Sequence, residues 1–175
     1  MEVNMIAHNF FMLPSNLITK VGVATFEISG ISRVVLAQLT RHRTFSFSVQ
    51  SMRYVKQSEF VDPCDIAYPI QESFEAYGNL MLQDGLKKQE ARYVLPLATS
   101  TRLIMSMPLK YAVGYFKQRL HVSAQPEHRA LAVLLYDCFD VDIRQRFIEE
   151  YMPINMMFLK ASIDNDVRQF LTQGG

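Results

Sequence analysis

From Gln38 to Arg53 the chain reads Gln-Leu-Thr-Arg-His-Arg-Thr-Phe-Ser-Phe-Ser-Val-Gln-Ser-Met-Arg. Arg41, His42, Arg43 and Arg53 stand there with hydroxyls at Thr44, Ser46, Ser48 and Ser51. Side chains of these types bind anions. A guanidinium offers a planar fork of N–H donors to phosphate or an ionised oxygen, and hydroxyls complete the shell. The plainer reading is a solvated helix end followed by a polar loop, because cations also suit a helix C-terminus. Arg92 and Arg119 each interrupt an apolar stretch, and a buried arginine needs an anionic partner. An Asp or Glu from another helix would serve, and so would a bound ligand shared with Arg53.

Other chemistries find little support. His42 sits between two cations and has no Cys, Asp or Glu nearby in sequence, so no metal site is expected. No Gly-x-Ser-x-Gly turn surrounds Ser46 or Ser51, and the 7 glycines are too scattered for a phosphate loop. The 2 cysteines, Cys64 and Cys138, form no CxxC pair and are expected as reduced thiols of a cytoplasmic protein. With 18 Lys and Arg against 17 Asp and Glu, the net charge is +1, which argues against a general nucleic-acid binder. Glu2 occupies a place where a signal peptide carries basic residues, and no apolar run is long enough to span a bilayer, so no membrane partner is expected. The 10 methionines read as core filler.

Hydrophobic periodicity supplies the elements that must position these residues. Val3 to Phe11 reads as a first strand. Val21 to Ile28 reads as a half-buried one, with Ala24, Phe26 and Ile28 on one face. Ser32 caps a helix running to about Arg43, which carries Gln38 and Arg41 on a common face. A short extended segment is expected over Gln50 to Lys56 and a loop over Ser58 to Pro69. Helices follow over Glu72 to Leu86 and Lys88 to Leu95, then a strand over Ser100 to Met107. Leu109 to Leu120 is the clearest amphipathic helix, with Leu109, Ala112, Val113, Phe116 and Leu120 on one stripe. Pro126 opens a helix apolar nearly all round, to be buried in the domain or in an oligomer interface. Val141 to Leu171 holds one or two further helices. No repeat or linker divides the 175 residues.

Arg41-His42-Arg43, followed by Ser51 and Arg53, resembles the signature of the flavin-dependent thymidylate synthases (ThyX): Arg-His-Arg, seven residues, Ser-x-Arg. Gln38 matches the Gln that precedes it. Glu90-Ala91-Arg92-Tyr93-Val94-Leu95-Pro96-Leu97 is similar to the family's helix ending in Val-Leu-Pro-Leu. Arg119 with Ala124-Gln125-Pro126-Glu127 resembles its Leu-Arg…Ala-Gln-Trp-Glu segment. The resemblance spans roughly Val21 to Tyr136. It implies an α/β fold with a central mixed sheet flanked by helices, a single catalytic domain over residues 1–175, and a homotetramer whose sites combine several subunits. The implied reaction is C5-methylation of a uracil nucleotide, dUMP or UMP. FAD is the cofactor, methylenetetrahydrofolate gives the carbon and NADPH the reducing power, and no enzymic cysteine takes part. The implied nucleotide ligands are Gln38, Arg41, Ser51, Arg53, Arg92 and Arg119, with Ser51 and Arg119 catalytic. Arg41, His42, Arg43 and Lys110 are the implied flavin contacts.

The chain also departs from the family pattern. Ser48 and Val49 replace an Asn and a Glu of the signature. Pro108-Leu109-Lys110 replaces a flavin-contacting Asn-x-Arg, and Gly114 replaces another Asn. A His-rich segment is not recognisable near Asn16 to Lys20. Two alternatives therefore accompany the methylase reading. One is a non-methylating uracil-nucleotide-binding relative with weakened flavin binding; in the other the arginines are intersubunit ion-pair partners.

Overall fold

The alternating Ala24, Phe26 and Ile28 are fully buried on one face of a strand in the computed structural model. The structure describes residues 1–62, 65–151 and 165–172. β1 (Glu2–His8) leads through 3-10 turns and one helical turn, α1 (Ile18–Val21), into β2 (Val23–Ser32). After α2 (Arg33–Leu39) come β3 (Ser46–Val49), α3 (Ala67–Met81), and α4 (Lys88–Ala91) with a 3-10 turn at Arg92–Val94. β4 (Ser100–Pro108) is followed by α5 (Leu109–Arg119), α6 (Pro126–Asp137), α7 (Val141–Tyr151) and α8 (Asn165–Thr172).

The strand order is β1-β2-β4-β3, and every neighbouring pair is antiparallel. The expected mixed sheet is therefore corrected to an antiparallel one. β2 and β3 run in the same direction, but β4 lies between them and runs opposite to both. Register pairs Phe26 with Met105 and Ile28 with Leu103, so the buried residues of β2 and β4 share one face. Tyr115 and Phe116 of α5, Leu131 and Leu135 of α6, and Phe147 of α7 close the core over it. The apolarity of α6 is met inside this chain, where Ala130 to Val133, Leu135 and Tyr136 are all buried. On the outer face the Thr25 and Ser106 hydroxyls meet at 2.9 Å.

Several local expectations need correction. α2 stops at Leu39 rather than Arg43. Thr40 Oγ1 donates back to the Leu36 carbonyl at 3.0 Å, the kind of side-chain competition that unwinds a helix end. Extended structure falls at Ser46–Val49, whereas Ser51 to Val55 is a turn closed by Val55 N–H donating to the Ser51 carbonyl. α3 starts at Ala67, inside the expected loop, and the helix around Arg92 tightens into a 3-10 turn. β1 ends at His8, before a 3-10 turn at Phe10–Met12. Cys138 is a free thiol, held above its ordinary pKa chiefly by burial, and Cys64 lies outside the described residues. No helix among the described residues is long and apolar enough to cross a membrane. Among them, no group of His, Cys, Asp and Glu could hold a metal ion.

Candidate functional site

Short-range geometry around α2 decides where the motif residues stand. Gly30 takes φ +73 at a break in β-register between Ser29 and Ile31, so β2 bends before it reaches α2. Ser32 then caps α2, its Oγ accepting from Val35 N–H at 3.2 Å. The buried Glu127 of α6 reinforces the cap. Its carboxylate accepts from Ser32 N–H at 2.6 Å and from Ser32 Oγ at 2.7 Å. Burial raises the Glu127 pKa, and the two Ser32 bonds work against that shift.

At the other end of α2, successive turns carry Arg41, His42 and Arg43 back toward α5. His42 stacks on Phe45 with ring centroids 5.6 Å apart, and meets Tyr115 edge-on at 5.0 Å. Arg119 Nε donates to His42 Nε2 at 3.0 Å, so the imidazole is neutral with its proton on Nδ1. Burial, then the Arg119 charge, hold the His42 pKa down to about 4. Gln38 Nε2 donates to Gln125 Oε1 at 2.6 Å, leaving its Oε1 to accept from His128 Nδ1 at 3.1 Å. His128 is fully buried, and burial, Arg119 and His42 lower its pKa to about 3. Burial lifts the Tyr115 hydroxyl above its ordinary value and keeps it protonated. The result is a neutral polar bed with one half-buried guanidinium, Arg119, held across it.

A second group gathers near the N-terminal end of α2. Ser51 Oγ accepts from Arg53 N–H at 3.2 Å, which gives the Ser-x-Arg spacing a local cause: the hydroxyl closes a turn on the residue two along. Arg53 Nε in turn donates to Gln89 Oε1 at 3.2 Å. Gln89 lies one turn before Arg92 along the same helical stretch, so Arg53 and Arg92 are drawn to one side of α4.

The structure thus brings Gln38, His42 and Arg119 together, and separately joins Ser51, Arg53 and the stretch bearing Arg92. Arg41, Arg43 and Lys110 are exposed, with Lys110 Nζ 4.8 Å from the centre of the Tyr111 ring. Ser48 and Val49 lie on β3 beside a shallow hollow that also involves Glu27, Gln50, Arg102 and Ile104. A second hollow, lined by Gly30, Gln50, Lys56, Gln57, Ser100 and Arg102 among others, contains none of the nine predicted site residues. Four participants escaped sequence reasoning: Gln89, Tyr115, Gln125 and His128. Only Gln125 carried a signal, as part of the Ala124-Gln125-Pro126-Glu127 segment.

Comparison with known proteins matches residues 17–141 to the family described as thymidylate synthase complementing protein. A flavin-dependent thymidylate synthase of Sulfurisphaera tokodaii is 38% identical over 122 residues, covering 63% of this chain and 47% of that protein. One from Nitratidesulfovibrio vulgaris is 37% identical over 137 residues, covering 67% of this chain and 56% of its own. The chain spans about half the length of these relatives. In solved structures, the flavin-dependent thymidylate synthase of Helicobacter pylori complexed with FAD and dUMP superposes with a TM-score of 0.68. Identity there is 24%, over 85% of this chain and 99% of that one, so this likeness concerns the fold.

Proposed function

The chain belongs to the thymidylate synthase complementing protein family, and from that premise we propose that it methylates C5 of a uracil nucleotide, dUMP or UMP. The observation that carries the reading is the 3.0 Å bond from Arg119 Nε to neutral His42, which ties the Arg-His-Arg motif to the distant Arg119 segment. Using Nε as the anchor leaves the outer N–H groups of Arg119 for a uracil ring. Attack by C5 on an electrophilic carbon needs electron density pushed through the pyrimidine, and a fixed guanidinium stabilises the charge that develops there. His42 adds no opposing negative charge, so that field stays positive. Gln38, Arg41 and Ser51 orient the nucleotide, while Arg53 and Arg92 hold its phosphate end.

The donor set also fits a dinucleotide with a charged diphosphate, since Arg41, Arg43 and Lys110 present cationic heads to solvent. FAD would be held there by Arg41, His42, Arg43 and Lys110. When bound it supplies the hydride, received from NADPH, that reduces the methylene carbon of methylenetetrahydrofolate to methyl. Residues 1–175 act in this reading as one cytoplasmic catalytic domain, assembled as a homotetramer.

A test is direct. Incubation with dUMP or UMP, FAD, NADPH and methylenetetrahydrofolate should give a product 14 mass units heavier, one CH2 more than the substrate. Protein that shows no flavin absorbance and gives no such product would overturn the reading. The exposed β3 position of Val49, where the family has a carboxylate, favours a second reading: nucleotide binding without turnover. Tight dUMP binding with no product under the same conditions would establish it.

A further inference from the structure

Arg33 belongs to no motif singled out in the sequence, yet its environment is unusual. It opens α2, and its backbone N–H donates to the Thr99 carbonyl at 3.2 Å. The segment that ends at Thr99 starts at Arg92 and is braced by Leu95 N–H to the Arg92 carbonyl and Thr99 N–H to the Pro96 carbonyl. The Arg92 guanidinium is close enough for its charge to act on Arg33. Nε and Nη2 of Arg33 are buried, and no acceptor among the described residues reaches either atom. These are the two nitrogens of the side-on fork, whose N–H bonds point the same way and match two oxygens of one phosphate.

Burial first, and then the charge of Arg92, act against the ionised form of Arg33. Two carboxylates beside these arginines are engaged elsewhere: Glu90, two residues before Arg92, accepts from Lys87 N–H at 2.9 Å, and Glu127 accepts from Ser32, the residue before Arg33. Two adjacent guanidiniums repel each other, and the unmet buried donors of Arg33 have lost their hydration. An anion bound between them reverses both costs. Arg53, anchored on Gln89, brings a third cation to the same side of α4.

We propose that Arg33 is a further binding residue for a phosphate group, working beside Arg92 on the phosphate of the nucleotide substrate. The assignment rests on the nucleotide-binding reading above. It adds to that reading a ligand outside the Arg-His-Arg…Ser-x-Arg signature, and it makes the N-terminal end of α2 the phosphate end of the site.

The test uses the full chain as wild type, Arg33→Met and Arg33→Lys. Calorimetric titration with dUMP, deoxyuridine, inorganic phosphate and FAD would be combined with thermal unfolding of each free protein. Arg33→Met should weaken dUMP binding tenfold or more, leave deoxyuridine and FAD affinity unchanged, and unfold no earlier than wild type. Arg33→Lys should recover part of the dUMP affinity, since it keeps the charge and loses the fork. Equal dUMP affinity in wild type and Arg33→Met would overturn the assignment while leaving the nucleotide reading intact. Loss of FAD rather than dUMP affinity would also overturn it, by moving the phosphate to the dinucleotide. A lower unfolding temperature with unchanged affinity would make Arg33 a structural ion-pair residue and overturn it equally. If wild type binds no uracil nucleotide, the broader reading fails. Phosphate binding abolished by Arg33→Met would then keep the anion site, and no phosphate binding would remove both.

Discussion

His42 is a hydrogen-bond acceptor for Arg119, and this makes its neutral state matter. Burial first, and then the Arg119 guanidinium, oppose an imidazolium there, and the low pKa of about 4 follows from both. Replacing His42 by Ala should free the Arg119 side chain. Under the proposed function, kcat should fall on the order of tenfold to hundredfold, less than the outright loss of an aligned donor costs. His42→Gln, whose Oε1 can still accept from Arg119, should recover part of the rate, and steady-state kinetics on the two variants would check this. His42 and fully buried His128 also tie stability to pH. Both have folded pKa values, about 4 and about 3, below the ordinary 6.5, so the unfolded chain binds protons first as pH falls. Their stabilising share is complete above pH 6.5 and drains away toward 4 and 3. For His128 the slope is on the order of 1 kcal/mol per pH unit. Thermal melts at pH 7, 5.5 and 4.5 should show a progressive drop, and His128→Leu should flatten it.

At the scale of elements, α2 is held by devices at both ends. Glu127→Ala would leave Ser32 N–H and Oγ buried without their acceptor, at a cost of about 2–3 kcal/mol by chemical denaturation. Glu127→Gln should cost less, because one oxygen remains. Gly30→Ala would strain the bend into α2, since φ is +73 and an added Cβ would lie 3.0 Å from Met1 Cα. A loss of about 1–2 kcal/mol is expected in the same measurement. Ser32 as the cap was legible in the sequence, because capping is local and Ser32 precedes an apolar period. Glu127 as its second partner was not, since it lies 95 residues away along the chain. β2, β4 and α5 were legible from strong alternation or a clean stripe. β3 was not: Ser46, Phe47, Ser48 and Val49 are few, half polar, and form an edge strand, where burial leaves the weakest pattern. The proposed anion-binding residues could be read from type and spacing. The neutral bed of Tyr115, Gln125 and His128 depends on helix packing that no local pattern encodes.

At the scale of the whole molecule, the two groups of site residues lie toward opposite ends of α2. From Arg33 to Leu39, α2 is about 9 Å long at 1.5 Å per residue, roughly the length of a nucleotide. Among the described residues, no hydrogen bond joins the Ser51–Arg53–Gln89 group to the Gln38–His42–Arg119 group. One nucleotide could bridge both groups within a chain, or each group could be half of a site completed by another subunit. The proposed homotetramer selects the second arrangement, and subunit mixing separates the two. Arg53→Ala and Arg119→Ala should each be inactive alone. If each site takes its arginines from different chains, mixed tetramers contain some sites with both intact, and activity returns to about a quarter of the wild-type value. That fraction is the chance that two independent halves are both undamaged. If both arginines serve one site in the same chain, every site keeps one lesion and mixing restores nothing. Subunits must first be exchanged by co-expression or by refolding together, and particle size by light scattering checks that they reassemble. Recovered activity would place the catalytic unit between chains, with α2 spanning the seam and its two ends serving different sites.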